Sequence, residues 1–388
     1  MIMKIALSTV GKFHTFDLAR ELYGRGTLAT IFTGYPQFKF KNEGLPMELI
    51  QTFPWVQTPY MAFPWKASLP DAVIREWENL SAITFGNFVA RNLPDCELYV
   101  GLSGSSLPAG IKAHQRGAKF ICDRGSSHIR TQNRLLIEEY AIWKMPFLGI
   151  DPRTVAREES EYAEADCITV PSTFVYRTFI EQGVAANKLR VLPYGVNLSR
   201  FQPLYKPDPK RFDILFVGAM SLQKGVQYLV QAYLKIDHPA KSLTFIGADS
   251  ASLIKALRAN RIWPEDAIVL GAMPQIELKQ FMSRSHVLVL PSIQDGFGMV
   301  MAQAMACACP VVASNHTGAE DLMTDGVEGF IVPTRDVDSL TDVLQQMADQ
   351  PEIRDAMGKK ALQRVQEMGG WHDYGEQAME IYSEVILA

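Results

Sequence analysis

Short apolar runs of strand length alternate with longer amphipathic stretches along the whole chain. KIALSTV is followed by FDLARELYGRG, whose apolar residues recur at helical spacing and which stops at a glycine. LATIFTG reads as the next strand. CELYVGLSG, AKFICDRG, DCITVPS and LRVLPYG follow, each ending at small or polar residues. This is the strand–helix–strand rhythm of a parallel sheet. After YGVNLSRFQPLYKPDPKR the pattern restarts, and FDILFVGAM, SLTFIGAD, AIVLGAM, HVLVLPS, CPVVASN and GFIVPT are six further strand candidates with helices between them. The stretch 195–211, rich in proline and charge, reads as a linker. The expectation is an α/β chain of two doubly wound, Rossmann-like domains in tandem, the first spanning residues 1–197 and the second 198–368. In open parallel sheets ligands bind beyond the carboxyl ends of the strands, so the cleft between two such sheets is the expected site.

Composition narrows the function. The 388 residues are 47% apolar and 21% charged, enough for two cored domains. A net charge of −4 with no long basic block argues against general nucleic-acid binding. No run of eighteen apolar residues exists, so no transmembrane helix is expected. MIMKIALSTV reads as a first strand and not as a signal peptide. Cys96, Cys122, Cys167, Cys307 and Cys309 sit among apolar neighbours without a second pair to complete a zinc site, so buried free thiols in a reducing cytoplasm are expected, with no metal.

Two stretches carry candidate chemistry. In GAMSLQKGVQYLVQAY a strand ends at Gly218 and Lys224-Gly225 opens a helix. A lysine beside a helix N-terminus makes an anion cradle, because free backbone N–H groups and the ammonium point the same way. The stretch lacks G-x-x-x-x-G-K-[ST] and is no P-loop; the plainer alternative is a solvated lysine. In PSIQDGFGMVMAQ, residues 291–303, the glycines allow a sharp turn and close approach of a ligand to the backbone. A helix from about Met299 would aim its N-terminus into the cleft, with Asp295 ahead of it and Gln303 within it. Eight helical steps span at most ~12 Å, the scale that separates the two sugars of a nucleotide diphosphosugar. An acid and an amide both bond hydroxyls, with room for a diphosphate between. Taken alone, Asp295 reads first as an N-cap for that helix.

These residues resemble the glycosyltransferase group-one superfamily (family four), retaining enzymes of the two-domain GT-B fold. That family has E-G-F-G…E, the E-x7-E pattern, followed by A-M-A-C-G-x-P-V-V-A; this chain reads DGFGMVMAQAMACACPVVAS. The similarity continues in GAEDLMTDGVEGFIVP, FVGAMSLQKG and VLPYGVNLSRFQP, and in GKFHTFDLARELYGRG at the start. WHDYGEQAMEIYSEVI resembles the terminal helix that returns to the first domain, assigning 369–388 to that role. The resemblance implies that Lys224 binds the donor diphosphate and that Asp295 contacts hydroxyls of the transferred sugar. It places Gly296, Phe297 and Gly298 against phosphates or sugar, and Gln303 against the ribose. Gly218 falls in the donor site, Gly271, Ala272 and Met273 lie beside the nucleobase, and Gly11 lies near the phosphates and acceptor. A retaining transfer in this family uses no metal, no enzyme nucleophile and no resident cofactor; the substrate is a UDP- or GDP-type sugar.

The chain departs from the family at four positions that bear on this. Asp295 and Gln303 stand where glutamates are usual, and Gln303 gives up a charge-assisted bond to the ribose. Ala219 stands where an arginine is frequent, which removes one diphosphate cation; Arg124 and Arg130 are alternative suppliers. Cys309 replaces a usual glycine. For the histidine that the first domain usually contributes, AKFICDRGSSHIRTQ offers His128, with Asp123 and Arg124 nearer the strand; a surface-loop position is the alternative for His128. Residues 35–66 are dense in aromatics and prolines. Tyr35, Phe38, Lys39, Phe40, Trp55 and Trp65 would form either a lipid-facing or sugar-stacking surface or, the favoured reading, a loop and helix packed on the domain. The functional expectation is a retaining glycosyltransferase moving a sugar to a sugar or lipid-linked acceptor in envelope polysaccharide assembly. Such an enzyme would work in the cytoplasm, at the inner face of the membrane for a lipid-linked acceptor. The alternatives are a nucleotide-sugar epimerase and a degenerate member that binds without turnover.

Overall fold

The computed structural model describes residues 3–65 and 69–388. Met1 and Ile2 of the expected first strand, and Lys66 of the aromatic stretch, lie outside the described residues. The first sheet has seven parallel strands: β1 (Ile5–Thr9), β2 (Leu28–Thr33), β3 (Ile50–Thr52), β4 (Leu98–Leu102), β5 (Lys119–Asp123), β6 (Cys167–Val170) and β7 (Leu189–Val191), in the order β3-β2-β1-β4-β5-β6-β7. The second has six: β8 (Phe212–Val217), β9 (Lys241–Ile246), β10 (Ile268–Val269), β11 (Val287–Leu290), β12 (Val311–Ser314) and β13 (Gly329–Val332), in the order β10-β9-β8-β11-β12-β13. The chain is thus an α/β protein of two parallel, helix-covered sheets. Every residue of β1, β6, β11 and β12 is buried, as expected for strands covered on both faces. Two details differ from the sequence reading. β3 was not expected, because three residues between proline-rich segments carry no periodicity; it forms by pairing its Ile50 with Ile31 of β2. The AIVLGAM run yields only the two-residue edge strand β10, although Leu270 N still donates to the Phe245 carbonyl of β9.

Both sheets reverse strand order once, between β1 and β4 and between β8 and β11. At such a switch point the loops leaving two adjacent strands diverge to opposite faces and open a crevice. The chain crosses between the sheets twice. The first crossing is the irregular stretch 192–211. The second precedes the helix Gly370–Leu387, which lies against the helix Thr15–Gly24; a Cβ on Gly375 would stand 2.7 Å from Glu21 Cβ. The two crossings touch, for a Cβ on Gly195 would meet the backbone of Gly370 at 2.5 Å.

The cleft is held by specific bonds between its walls. Ser172 Oγ donates to the Gly296 carbonyl at 2.6 Å, Gln294 Nε2 donates to Ser126 Oγ at 2.6 Å, and Thr173 donates from N and Oγ1 to Asp321. Deeper in, Glu139 of the first domain is fully buried and accepts from Gln227 Nε2, Tyr228 OH and Arg335 Nε at 2.7–2.8 Å. Each partner is a second-domain group, so a buried charge is compensated only when the domains are together.

Four cysteines are buried and Cys96 is partly so, all as free thiols. Three histidines are also buried, His14, His128 and His286, of which the last two do not line the cavity between the sheets. His286 donates from Nε2 to the Asp208 carbonyl, and its Nδ1 accepts from Asp213 N. His128 packs on Tyr162 and Phe179, and its Nδ1 accepts from Arg130 N. Burial pushes both imidazoles down to about 4, helped by Arg124 beside His128 and Arg354 beside His286. The unfolded chain takes up these protons near pH 6.5, the folded chain only near 4. Between those values the unfolded state holds more protons, so stability falls as pH falls; above 6.5 neither form is charged and the contribution is flat. The loss at pH 4 is on the order of 1–3 kcal/mol per histidine. Thermal midpoints should decline from pH 6.5 to 4. His128→Asn, which keeps a capping acceptor, should flatten that decline, and an unchanged slope in this variant would refute the assignment.

Candidate functional site

The loops at the two switch points meet across a cavity of about 980 Å³ between the sheets. From the first sheet it takes Lys12, Phe13 and His14 after β1, Leu102 and Ser103 at the end of β4, and Arg124–Ser126 after β5. From the second it takes Val217 at the end of β8, Lys224, Leu290 at the end of β11, Asp295, and Phe297–Val300 with Gln303. The first crossing supplies Tyr194–Asn197 and Arg200. A volume of this size accommodates a substantial small molecule.

The second-domain wall is built on two glycine turns. Gly225 has φ +73° and stands so close to Pro291 that a Cβ would lie 1.8 Å from its carbonyl oxygen. This contact brings the loop carrying Lys224 against the loop after β11. Gly298, at φ +78°, turns the chain into the helix Met299–Ala306. Lys224 Nζ is 2.5 Å from Asp295 Oδ2. Asp295 is therefore an ion-pair partner in the cleft and not the helix N-cap, since that helix has no side-chain cap. Met299 and Val300, whose N–H groups open the helix, line the cavity, and Gln303 lines it one turn further on. An ammonium, a carboxylate and free backbone donors thus share one face of the cleft. They can neutralise a phosphate group and bond sugar hydroxyls at once.

The first-domain wall is polar and largely paired. Lys12 bonds Glu43; Arg20 bonds Asp17 and, at 3.0 Å, Glu43. Arg124 is buried and spent: Nε and Nη2 donate to the Ser127 carbonyl, Nη2 also to Gln132, and Nη1 to Ser103 Oγ and to Glu158 at 2.6 Å. It shapes the wall but has no donor free for a ligand. Arg130 is on the surface with Glu159 and does not line the cavity. Arg200 is the lining cation with no carboxylate at ion-pair distance among the described residues, although its charge acts on Asp17; its Nη1 donates to Gln275 Oε1 at 2.6 Å.

Of the residues singled out from the sequence, Lys224, Asp295, Phe297, Gly298 and Gln303 line the cavity together. Gly11, Gly218 and Gly296 lie one residue from lining positions. Gly296 has its own reason to be glycine, because a Cβ there would stand 2.0 Å from the Gly125 carbonyl oxygen across the cleft. Gly271, Ala272 and Met273 do not line the cavity, although Gln275 just beyond them does. His128 does not reach it either. Its place in the sequence suggested a strand-end histidine, but four residues separate it from β5, and it turns inward to cap the helix Ile129–Ile142.

The imidazole in the cleft is His14, which the sequence reading passed over. His14 Nε2 is 2.6 Å from Asp123 Oδ2, and the ring stacks on Tyr194 at 4.1 Å. The signal was present in the first strand-end loop, GKFHTF, but its partner is 109 residues away. In the aromatic stretch, Phe40 is buried and stacked on Phe16 at 4.5 Å, and Lys39 lies over Tyr35. Trp55, Trp65 and Phe38 are 76%, 70% and 65% exposed. No helix among the described residues is long and apolar enough to cross a membrane.

Residues 200–364 match the family model described as glycosyl transferases group 1. A D-inositol 3-phosphate glycosyltransferase of Paenarthrobacter aurescens is 29% identical over 220 residues, 53% of each chain. The chain spans about half the length of the curated relatives it matches first. In fold it is similar to a sucrose-phosphate synthase from Thermosynechococcus elongatus, with a TM-score of 0.72 and 20% identity over 99% of both chains. It is also similar to the Anabaena protein HepE in complex with UDP and glucose, with a TM-score of 0.69 and 15% identity over 98% of this chain and 100% of that one.

Proposed function

We propose that the chain is a glycosyltransferase that moves a sugar, with retention of anomeric configuration, from a nucleoside diphosphosugar to a hydroxyl of a sugar or lipid-linked acceptor in envelope polysaccharide assembly. The observation that carries the reading is the Lys224–Asp295 pair beside the N-terminus of the helix Met299–Ala306, facing a polar first-domain wall across the cavity. Lys224 and the helix N–H groups take the diphosphate, whose growing negative charge they stabilise as the sugar leaves. Asp295 bonds hydroxyls of the sugar, and Gln303 bonds the ribose. Arg200 supplies the cation lost at Ala219. The charge of the leaving group is thus met by protein groups, and no resident cofactor enters the proposal.

A UDP donor is favoured by the likeness to the structure holding UDP and glucose, and acceptor binding by the first-domain wall. The exposed Trp55, Trp65 and Phe38 suit a lipid-linked acceptor at a membrane surface. The reading is tested by incubating the protein with UDP-glucose, GDP-mannose and related donors and measuring release of nucleoside diphosphate. Asp295→Ala should lower that release by about 10²–10³-fold, as expected for loss of a group that positions the reacting sugar. Binding of a nucleotide without any release in the wild type would favour a non-catalytic member instead.

A further inference from the structure

Asp295 sits in a second-domain loop that the first domain holds from both sides. We propose that Gln294 is a positioning residue, which ties this loop to the first domain so that the Asp295 carboxylate meets the donor sugar only when the two walls are in contact. The inference rests on the glycosyltransferase reading and adds to it how the sugar, as distinct from the diphosphate, is held.

Gln294 is fully buried and does not line the cavity. Its Nε2 donates to Ser126 Oγ at 2.6 Å, and Ser126, in the loop after β5, does line the cavity. Its Oε1 accepts from Nε2 of Gln223, the residue before Lys224, at 3.0 Å. One amide therefore joins the first-domain loop, the Lys224 loop and the Asp295 loop. A polar group out of water has to keep its partners, so the bond to Ser126 couples the two walls. The residue after Asp295 repeats the pattern. The Gly296 carbonyl accepts from Ser172 Oγ at 2.6 Å, and a Cβ on Gly296 would stand 2.0 Å from the Gly125 carbonyl oxygen. Asp295 N donates to the His316 carbonyl at 3.0 Å. His316 Nδ1 donates to the Ile293 carbonyl at 2.9 Å, and its ring stacks on Phe174 of the first domain at 4.9 Å. Ser126, Ser172 and Phe174 thus bear on the segment around Asp295, while its carboxylate pairs with Lys224 of its own domain.

Diphosphate and sugar are then held in different ways. Lys224 and the N–H groups of the helix Met299–Ala306 belong to the second domain, so a bare nucleoside diphosphate can bind without the first. The Lys224 loop also keeps contacts that do not involve the Gln294 side chain: Ile293 N donates to the Gln223 carbonyl at 2.8 Å, and Gly225 lies against Pro291. The sugar needs Asp295 in register, and that register is set from the opposite wall. A displacement of about 1 Å in a group that orients a reacting centre lowers the rate by about 10²-fold.

The test compares wild type with Gln294→Met, Ser126→Ala, their double variant and Ser126→Thr. UDP and UDP-glucose, then GDP and GDP-mannose, are titrated by calorimetry, and release of nucleoside diphosphate is assayed. Methionine keeps the length of the glutamine side chain without its bonds. Affinity for the bare nucleoside diphosphate should stay within about threefold in every variant, which also shows that they are folded. In Gln294→Met and Ser126→Ala, affinity for the nucleotide sugar relative to the bare nucleotide should fall about tenfold, and release about 10²-fold. The double variant should be no worse than Gln294→Met, because both changes remove the same bond between the domains. Ser126→Thr keeps the hydroxyl and should restore wild-type behaviour to within about threefold. Additive losses in the double variant, an unchanged affinity ratio in Gln294→Met, or equal losses for bare nucleotide and nucleotide sugar would overturn the proposal while leaving the donor site intact. A wild type that binds nucleotide sugar without releasing nucleotide would defeat the transfer reading, and the affinity ratio would still decide the role of Gln294. Failure of the wild type to bind any nucleotide would bring down both readings.

Discussion

Lys224→Ala should cost the protein most of its affinity for a nucleoside diphosphate. In the closed cleft the ammonium touches Asp295 at 2.5 Å, and both face the N-terminus of the helix Met299–Ala306. Removing it deletes a charge-assisted bond to phosphate, worth roughly 1.5–3 kcal/mol, or about 10–150-fold in affinity. It also leaves the Asp295 carboxylate alone beside an incoming anion. The two effects have the same sign, and turnover should suffer more than binding, by about 10³-fold, because the leaving diphosphate gains charge in the transition state. Calorimetry with UDP, GDP, ADP and CMP measures the first quantity. A double variant with Asp295→Asn separates the contributions: affinity should partly recover as the repulsion disappears. Unchanged affinity in Lys224→Ala would move the diphosphate elsewhere in the cleft.

Gly296→Ala is expected to act on the distance between the domains. The added methyl would lie 2.0 Å from the Gly125 carbonyl oxygen and 3.0 Å from Ser126 Cα, which are backbone atoms of the opposite wall. Neither can rotate away, so the strain is relieved by opening the cleft. Overpacking of this kind costs roughly 1–3 kcal/mol, enough to shift a closed–open equilibrium about 5–150-fold toward open. Apparent donor affinity and turnover should fall by a comparable factor. The radius of gyration from solution scattering should rise, and saturating nucleotide should restore part of the compact form. An unchanged scattering curve together with wild-type turnover would count against the close contact.

How much of the site was legible in the sequence differs from residue to residue. Lys224, Asp295, Gly298 and Gln303 come from two contiguous stretches in which strand, turn and helix follow within a few positions. Local pattern therefore places them at the mouth of a helix, and the structure sets them on one cavity. The same reasoning led to His128 and missed His14. Both follow strand-like runs, and local pattern does not tell them apart. His128 turns inward because four intervening residues let the chain begin a new helix, for which its Nδ1 serves as the cap. His14 faces the cleft because β1 lies next to β4 at the point where the strand order reverses. Arg124 likewise looks available in a sequence, and only its burial with Glu158, Ser103, Ser127 and Gln132 shows that its donors are used.

By itself, the sequence determined the two-fold restart of the strand–helix rhythm, the linker between the halves and the turn chemistry of Gly225 and Gly298. These depend on interactions a few residues long, where apolar spacing and the need for positive φ leave a readable mark. The tertiary structure alone decided the rest: the pairing of His14 with Asp123, the latch of Glu139 with Gln227, Tyr228 and Arg335, and the contact that requires glycine at 296. Those pairs are separated by 88 residues or more. They exist because strand order and the docking of two sheets bring distant loops together, and no local pattern encodes that order.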